Sequence, residues 1–494
     1  MGQSIDLYYI KRSEIARAFH QLQEVVADEI SEVQITPGNG TFFDENVDFK
    51  EPEGTDFTTE ILTVYGKAYP RQRGWKAEDL ANHTMRIRKL LANAFRSLFY
   101  RDERSVLYFR GADVAAYRDK PSWMRYGSLG EVVDALAHAG LVQTIRGKKM
   151  PPYSKTKSTA SSYAATNELA RIAIETGVTR HSIDHRIPTD GLIRLLGPKP
   201  RQEFSWIKGG LTQPNKGEVI KYEPTIATRQ WTASLEAINA FYQQQDIGLD
   251  PSPDKLALWL AERNDDPERS GARYQMPELF NTAIYRVFNN GDADNPTFEK
   301  GGRLFGGWWM SIGEELRQSI TINRQPTVEI DYAECHPRML YHRAGLEGDD
   351  ELYTLPEIAA YEKATGVAPR TYRPYIKWLV QVLINSRGRP QLALKPDKIT
   401  MPPDFSVEEI ISFIEAKHAP IAKDFRTGAG LDLMLIESDI ALAIISAAMT
   451  DGWLVLSVHD SFIAPVNQRD RLEELMNDVY IQRLGQAPVF KKTS

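Results

Sequence analysis

The chain has 494 residues, enough for roughly two to four domains with cores of their own, and its 42% hydrophobic and 26% charged residues are ordinary for a soluble globular protein. A net charge of −6 excludes a global basic field, so any contact with nucleic acid would need local basic patches. The single cysteine, Cys335, excludes an intramolecular disulfide framework and a Cys-based zinc site, and it suits a reducing, cytoplasmic setting.

Met1 to Asp6 has no basic start followed by an apolar run, and Asp6 stands where a myristoylation signal needs Ser or Thr. No stretch is read as a membrane span, so no membrane partner is expected, and no repeat of solenoid period is present. Residues 1–75 form a mixed region: Ile10 to Val33 has helical spacing, and Thr36 to Thr58 reads as loop. Asp56 and Glu60 read as solvated loop carboxylates rather than a nuclease pair. Residues 76–185 predict a compact helical unit with a wing. Ala77 to Tyr100 is an amphipathic helix with Arg86, Arg88 and Lys89 on its polar side. Ser128 to Glu131 has capping-box spacing, Gly140 stops the helix it opens, and Leu141 to Ile145 reads as a strand. A basic loop follows, with Arg146, Lys148, Lys149, Lys155 and Lys157 around Tyr153. The order resembles a winged-helix module that would touch DNA; the alternative is a solvated loop. Residues 186–300 read as a helical connecting or thumb-like region, with a helix near Ser234 to Gln245 and another over Tyr274 to Asn289.

Residues 301–494 carry the chemistry. Thr327 to Asp331 alternates as a strand ending on a carboxylate, and a helix over Pro337 to Gly345 follows. Asp331 is therefore either a catalytic carboxylate or a helix cap. A second helix starts near Arg373-Pro374, and Arg373, Lys377, Gln381 and Asn385 fall four residues apart on one face. Two cations one turn apart at a helix start repel each other and face an unfavourable dipole, which makes sense if a polyphosphate lies across them. The alternative is a solvated basic face. A helix from Glu437 through Met449 leads to the apolar run Trp453 to Leu456, then to the polar tip His459-Asp460-Ser461 and a returning strand through Pro465. An Asp between apolar strands is costly unless its charge is compensated, and a divalent metal is the simplest compensation.

Together Asp331-Tyr332-Ala333, Arg373-x3-Lys377-x7-Asn385 and Val458-His459-Asp460-Ser461-Phe462 resemble motifs A, B and C of the family A polymerase superfamily. That superfamily holds bacterial-type DNA polymerase I enzymes and the phage and mitochondrial single-subunit RNA polymerases. Gly302-Arg303-Leu304 resembles the Gly-Arg-Leu stretch before motif A in the DNA polymerases. The resemblance covers about the last 200 residues, with nothing like a proofreading exonuclease before it. It implies an α/β (α+β) fold with a polymerase palm and fingers at the C-terminus. It also implies template-directed nucleotidyl transfer on a DNA primer-template with nucleoside triphosphates. Two Mg²⁺ ions, about 3.5–4 Å apart in such sites, would be held by Asp331 and Asp460. Lys377 would protonate the leaving pyrophosphate and His459 orient the primer end, while Arg373, Gln381, Asn385, His336, Tyr332 and Arg303 would contact substrate. Three departures stand out. Asn385-Ser386 replaces the usual Tyr-Gly, His336 stands where DNA polymerases carry a Glu against the 2′-hydroxyl with Glu334 out of step, and Ser461 replaces a Glu. The bulk of His336 favours dNTPs and Ser461 matches the RNA polymerases. DNA synthesis is the first expectation; RNA synthesis or priming, and a non-catalytic DNA-binding protein on a degenerate palm, are the rivals.

Overall fold

A computed structural model describes residues 40–68, 76–101, 105–108, 122–124, 128–148, 159–198, 204–205, 210–211, 217–265, 273–274, 276–289, 297–390, 392 and 399–491. The chain is a mixed helix and sheet protein of two compact units, one from residues 1–188 and 251–282, the other from 189–250 and 283–494.

The first unit has strands β1 (Thr41–Phe42), β2 (Val47–Phe49), β3 (Ser105–Tyr108), β4 (Val142–Ile145), β5 (Ser161–Ala165) and β6 (Ile183–His185). Its helices are α1 (Glu53–Ala68), α2 (Ala77–Tyr100), α3 (Ser128–His138) and α4 (Asn167–Glu175), with a further helix over Pro253–Asn264. One sheet runs β1-β3-β5-β4, and β2 pairs with β6. Phe49, Phe57 and Phe95 meet edge to face at the centre of the core, with centroids 5.5–6.1 Å apart. The helix expected over Ala77 to Tyr100 is present, but Arg88 and Lys89 are not on a solvated face. Both are buried against Asp48, at 2.5 and 3.0 Å. A buried cation persists only with such a partner, and strand β2 supplies it from a segment expected to be loop. Asp56 and Glu60 sit on α1, not in a loop. Most of the basic loop, from Lys149 to Ser158, and the helix expected over Ile10 to Val33 lie outside the described residues.

The second unit has strands β7 (Ile193–Leu196), β8 (Val219–Ile220), β9 (Ile247–Leu249), β10 (Ile284–Phe288), β11 (Gly301–Gly306), β12 (Ile320–Ile322), β13 (Gln325–Asp331), β14 (Leu456–Val458) and β15 (Ser461–Pro465). Its helices are α5 (Ile226–Gln243), α6 (Glu314–Arg317), α7 (Cys335–Arg343), α8 (Pro356–Thr365), α9 (Arg373–Asn385), α10 (Val407–Lys417), α11 (Gly430–Thr450) and α12 (Arg469–Leu484). Two larger sheets form, ordered β8-β7-β10-β11 and β9-β12-β13-β15-β14, and Phe204–Ser205 pairs with Gly210–Leu211 in a two-stranded one. The helix expected over Tyr274 to Asn289 is replaced at its end by strand β10. Ile284, Arg286 and Phe288 are buried while Tyr285 and Val287 are half-buried, a period of two that fits a pleated strand paired on both edges. The stretch 186–300, expected to be helical, thus also supplies β7 to β10.

Arg286 is fully buried and ties this sheet to α11. It donates to the Gly302 carbonyl at 2.6 Å, to Ser438 at 2.7 Å and to Asp439 at 2.5 Å. Gly302 has φ 78°, and a Cβ there would come within 3.0–3.1 Å of Phe288, Arg286 and Leu435, so glycine is required at this crossing. Helix α11 is long and apolar enough to cross a membrane, contrary to the expectation of no such stretch. Within the unit it buries Leu433, Ile440, Ile444 and Ile445, and Glu437 and Asp439 on it are ion-paired, as befits a core helix. Trp309 and Tyr242 hold β14 from behind: the Trp309 indole donates to the Ser457 carbonyl at 3.1 Å, and the Tyr242 hydroxyl to that of Val455 at 2.7 Å.

Trp309 is fully buried, so Trp309→Ala is expected to cost about 3–5 kcal/mol. Tyr242→Phe, which orphans a buried carbonyl, is expected to cost about 1–3 kcal/mol. Urea unfolding followed by circular dichroism checks both; equal, negligible shifts would show that β14 is not held this way.

Candidate functional site

Strands β13 and β15 run antiparallel with Asp331 opposite Ser461, and β14 pairs Val458 with the same serine. His459 and Asp460 form the tip between β14 and β15, where short hairpin loops demand a positive φ. His459 supplies it, with φ 57°. For a side chain with a Cβ this conformation is unfavourable, and such strain persists where the surroundings over-determine it. The Tyr332 amide donates to the Asp460 carbonyl at 3.3 Å, which closes the end of the ladder. Asp331 and Asp460 therefore sit side by side at adjacent strand ends. Asp331 is not a helix cap. The residue before α7 is Glu334, in the left-handed region with φ 51°.

Burial and the neighbouring Asp460 push the Asp331 carboxyl up to about 7, against the opposing charges of Lys491 and Lys377. Burial and Glu437 push Asp460 upward as well. Asp331 Oδ1 is buried without a hydrogen-bond partner. Two adjacent carboxylates, one with an orphaned oxygen, match a divalent cation, and Mg²⁺ needs only one or two protein carboxylates beside phosphate and water. Among the described residues no cluster of three or more His, Cys, Asp and Glu side chains forms a metal-binding group. The pair opens into a cavity of about 470 Å³ that is also lined by Arg317, Glu329, His459 and Lys491. Arg317 grips both oxygens of Glu329 at 2.9 Å, and Ser461 donates to Glu329 at 2.6 Å. Ser461 thus leans on a carboxylate from the neighbouring strand.

The other expected residues differ in how they are held. Lys377 is exposed on α9, makes no ion pair or hydrogen bond among the described residues, and lies close enough to lower the Asp331 carboxyl. His459 stands edge-on to Phe305 at 6.2 Å; burial, then Arg303, lowers its pKa, so the ring is neutral near pH 7. Arg303, His336 and Glu437 form a buried knot, with Glu437 Oε2 at 2.7 Å from Arg303 and 2.8 Å from His336. Burial would raise Glu437, but its hydrogen bond to His336 and the charge of Arg303 outweigh that and hold it below the usual range. His336, expected as a wall beside the sugar, is instead turned into this knot.

Arg373 is committed to Glu334 at 2.9 Å and lies over the Tyr353 ring at 5.3 Å. Glu334, read as out of step, is a hub: it also accepts from Arg338 at 3.4 Å and from the Leu352 and Tyr353 amides at 2.8 and 3.3 Å. Gln381 donates to the Tyr353 hydroxyl at 3.1 Å, and Asn385 donates to the Gln381 carbonyl at 2.8 Å. Tyr332, expected beside substrate, is instead core: it is 4% exposed, its hydroxyl donates to the Met476 carbonyl at 2.7 Å, and its ring stacks on Phe490. Glu437 and Lys491 were not singled out from the sequence as site residues, and Glu334 was noted only as out of step with the motif. The helix expected to open at Glu437 begins at Gly430, so Glu437 lies within it; Lys491 carried no signal.

A carboxyl raised from 3.8 to about 7 destabilises the metal-free fold progressively as pH rises through that window. In EDTA, Asp331→Asn is expected to melt a few degrees above wild type at pH 8, with the difference vanishing below about pH 4. Calorimetry across pH checks this, and a wild type that melts higher at pH 8 would contradict it. No protein-family model matches this chain, and no curated protein matches it.

Proposed function

We propose that the second unit is a polymerase palm with α9 as its fingers helix, and that the protein carries out template-directed nucleotidyl transfer on a nucleic-acid primer-template. The observation that carries this reading is Asp331 at the end of β13, opposite Ser461, with Asp460 of the hairpin tip close enough to raise its carboxyl and Lys377 close enough to lower it. Asp331 and Asp460 would hold Mg²⁺. When bound, the metal supplies charge neutralisation at the attacking 3′-oxygen and at the leaving pyrophosphate. Among the described residues Lys377 has no carboxylate partner, so it is free to bind the triphosphate and to give a proton to the departing pyrophosphate. Arg373 is already neutralised by Glu334; its part is to hold the start of α9 against the loop carrying Leu352 and Tyr353. The neutral His459 ring lines the cavity beside the two carboxylates, where it would orient the primer end.

DNA synthesis remains the first reading. One observation favours a second, ribonucleotide synthesis as by a single-subunit RNA polymerase or a primase. His336 is held by Glu437 and Arg303, so it is not free to stand against a 2′-hydroxyl.

Primer extension on a templated oligonucleotide with Mg²⁺, offered dNTPs or NTPs separately, tests the reading. Asp460→Asn is expected to lose about 100-fold or more, and Lys377→Gln about 100-fold, in the rate of addition. The preferred sugar chooses between the two versions. No templated addition with either, alongside retained DNA binding, would favour a non-catalytic binding protein.

A further inference from the structure

The segment 489–491 brings a cation to the carboxylate pair that belongs to none of the motifs. The Ala333 amide donates to the Val489 carbonyl at 2.7 Å and the Lys491 amide to the Asp331 carbonyl at 2.8 Å, so this segment lies along the chain where it leaves β13. Phe490 and Tyr332 form a bridge, and their rings stack at 5.7 Å and 20°. Tyr332 is itself held by Met476, so the main chain of Lys491 starts from a fixed place. From there the ammonium reaches Glu314 at 3.3 Å and Asp331 Oδ2 at 4.0 Å. Among the described residues it is the cation within ion-pair reach of Asp331. Arg317, the other cation on the cavity wall, is spent on Glu329.

The backbone bonds and the side-chain contact are separable. The Lys491 side chain is 56% exposed, so its ammonium can swing into solvent or towards Glu314 while the amide stays bonded to Asp331. Its charge also opposes the rise in the Asp331 carboxyl, which places it electrostatically as well as geometrically on Asp331. A divalent cation at the pair would need the same carboxylate and would be repelled by a neighbouring ammonium.

We propose that Lys491 is the resident counter-cation of the Asp331–Asp460 pair in the metal-free protein, and that a divalent cation must displace its ammonium from Asp331 to bind. The proposal rests on the reading of that pair as a metal site. It makes Lys491 a positioning residue that sets the metal concentration at which the site fills. With the competing ammonium removed, the pair binds a divalent ion more tightly. With arginine in its place the competition remains, because the charge and the main-chain anchorage are both kept.

The test is Mn²⁺ titration of the full, metal-free chain, followed by the loss of the free-ion electron paramagnetic resonance signal. Wild type, Lys491→Gln, Lys491→Arg and Asp460→Asn are compared. Lys491→Gln is expected to bind Mn²⁺ about 5- to 20-fold more tightly at low salt, with the gain shrinking at high ionic strength. Lys491→Arg should match wild type, and Asp460→Asn should lose the site. Lys491→Gln binding no tighter than wild type, while Asp460→Asn abolishes binding, would overturn the proposal and leave the metal site standing. A wild type that binds no Mn²⁺ would overturn both.

Discussion

Everything at the candidate site depends on one register. Because β13 and β15 pair with Asp331 opposite Ser461, the carboxylate that ends one strand must meet the carboxylate at the hairpin tip beside the other. Shifting the pairing by one residue would turn these side chains to the opposite face. The register is held from behind by Trp309 and Tyr242 on β14 and closed at its end by the Tyr332 amide. The cost is electrostatic: burial and the neighbouring Asp460 raise the Asp331 carboxyl, and burial and Glu437 raise that of Asp460. Such a cost is tolerated where a ligand relieves it, and here the relief would be cationic.

Around that pair the charges are arranged in layers. Beneath it, Glu437 is ion-paired to Arg303 and hydrogen-bonded to His336, and its charge also raises the Asp460 carboxyl. Beside it, Glu329 is neutralised by Arg317 and steadied by Ser461. At the head of α9, Glu334 takes up Arg373 and two backbone amides. Each of these carboxylates is ion-paired to an arginine at 2.7–2.9 Å, whereas the cation nearest Asp331 among the described residues is Lys491 at 4.0 Å. Breaking a buried pair by removing one member leaves an uncompensated charge, so these neighbours fix geometry rather than supply reserve stability. Asp331, whose nearest cation is the distant and exposed Lys491, together with Asp460 and Lys377, is what is left for a ligand.

What the sequence made legible was local. The helix Ala77–Tyr100, strand β13, the start of α9 at Arg373 and the β14–β15 hairpin all announced themselves through periodicity, proline position or turn chemistry. What escaped depended on partners far along the chain. Arg88 and Lys89 read as surface cations because nothing nearby reveals Asp48, and Tyr332 read as a substrate contact because its carbonyl partner lies at Met476. Strand β10 was missed because its buried middle residue is an arginine, whose partners Ser438 and Asp439 come from α11. Glu334 was set aside on motif spacing, yet a left-handed turn before α7 swings its carboxylate to Arg373. Lys491 carried no pattern, and only the bridge between Phe490 and Tyr332 brings it to Asp331.

The claim on which the account stands is that Asp331 and Asp460 jointly hold a divalent cation. The most direct measurement is a crystal of the protein soaked in Mn²⁺ and recorded at a wavelength where manganese scatters anomalously. The account predicts an anomalous peak in contact with both carboxylates, at about 2.0–2.3 Å from an oxygen of each. A fully occupied peak elsewhere, or carboxylates that stay apart with no peak between them, would contradict it.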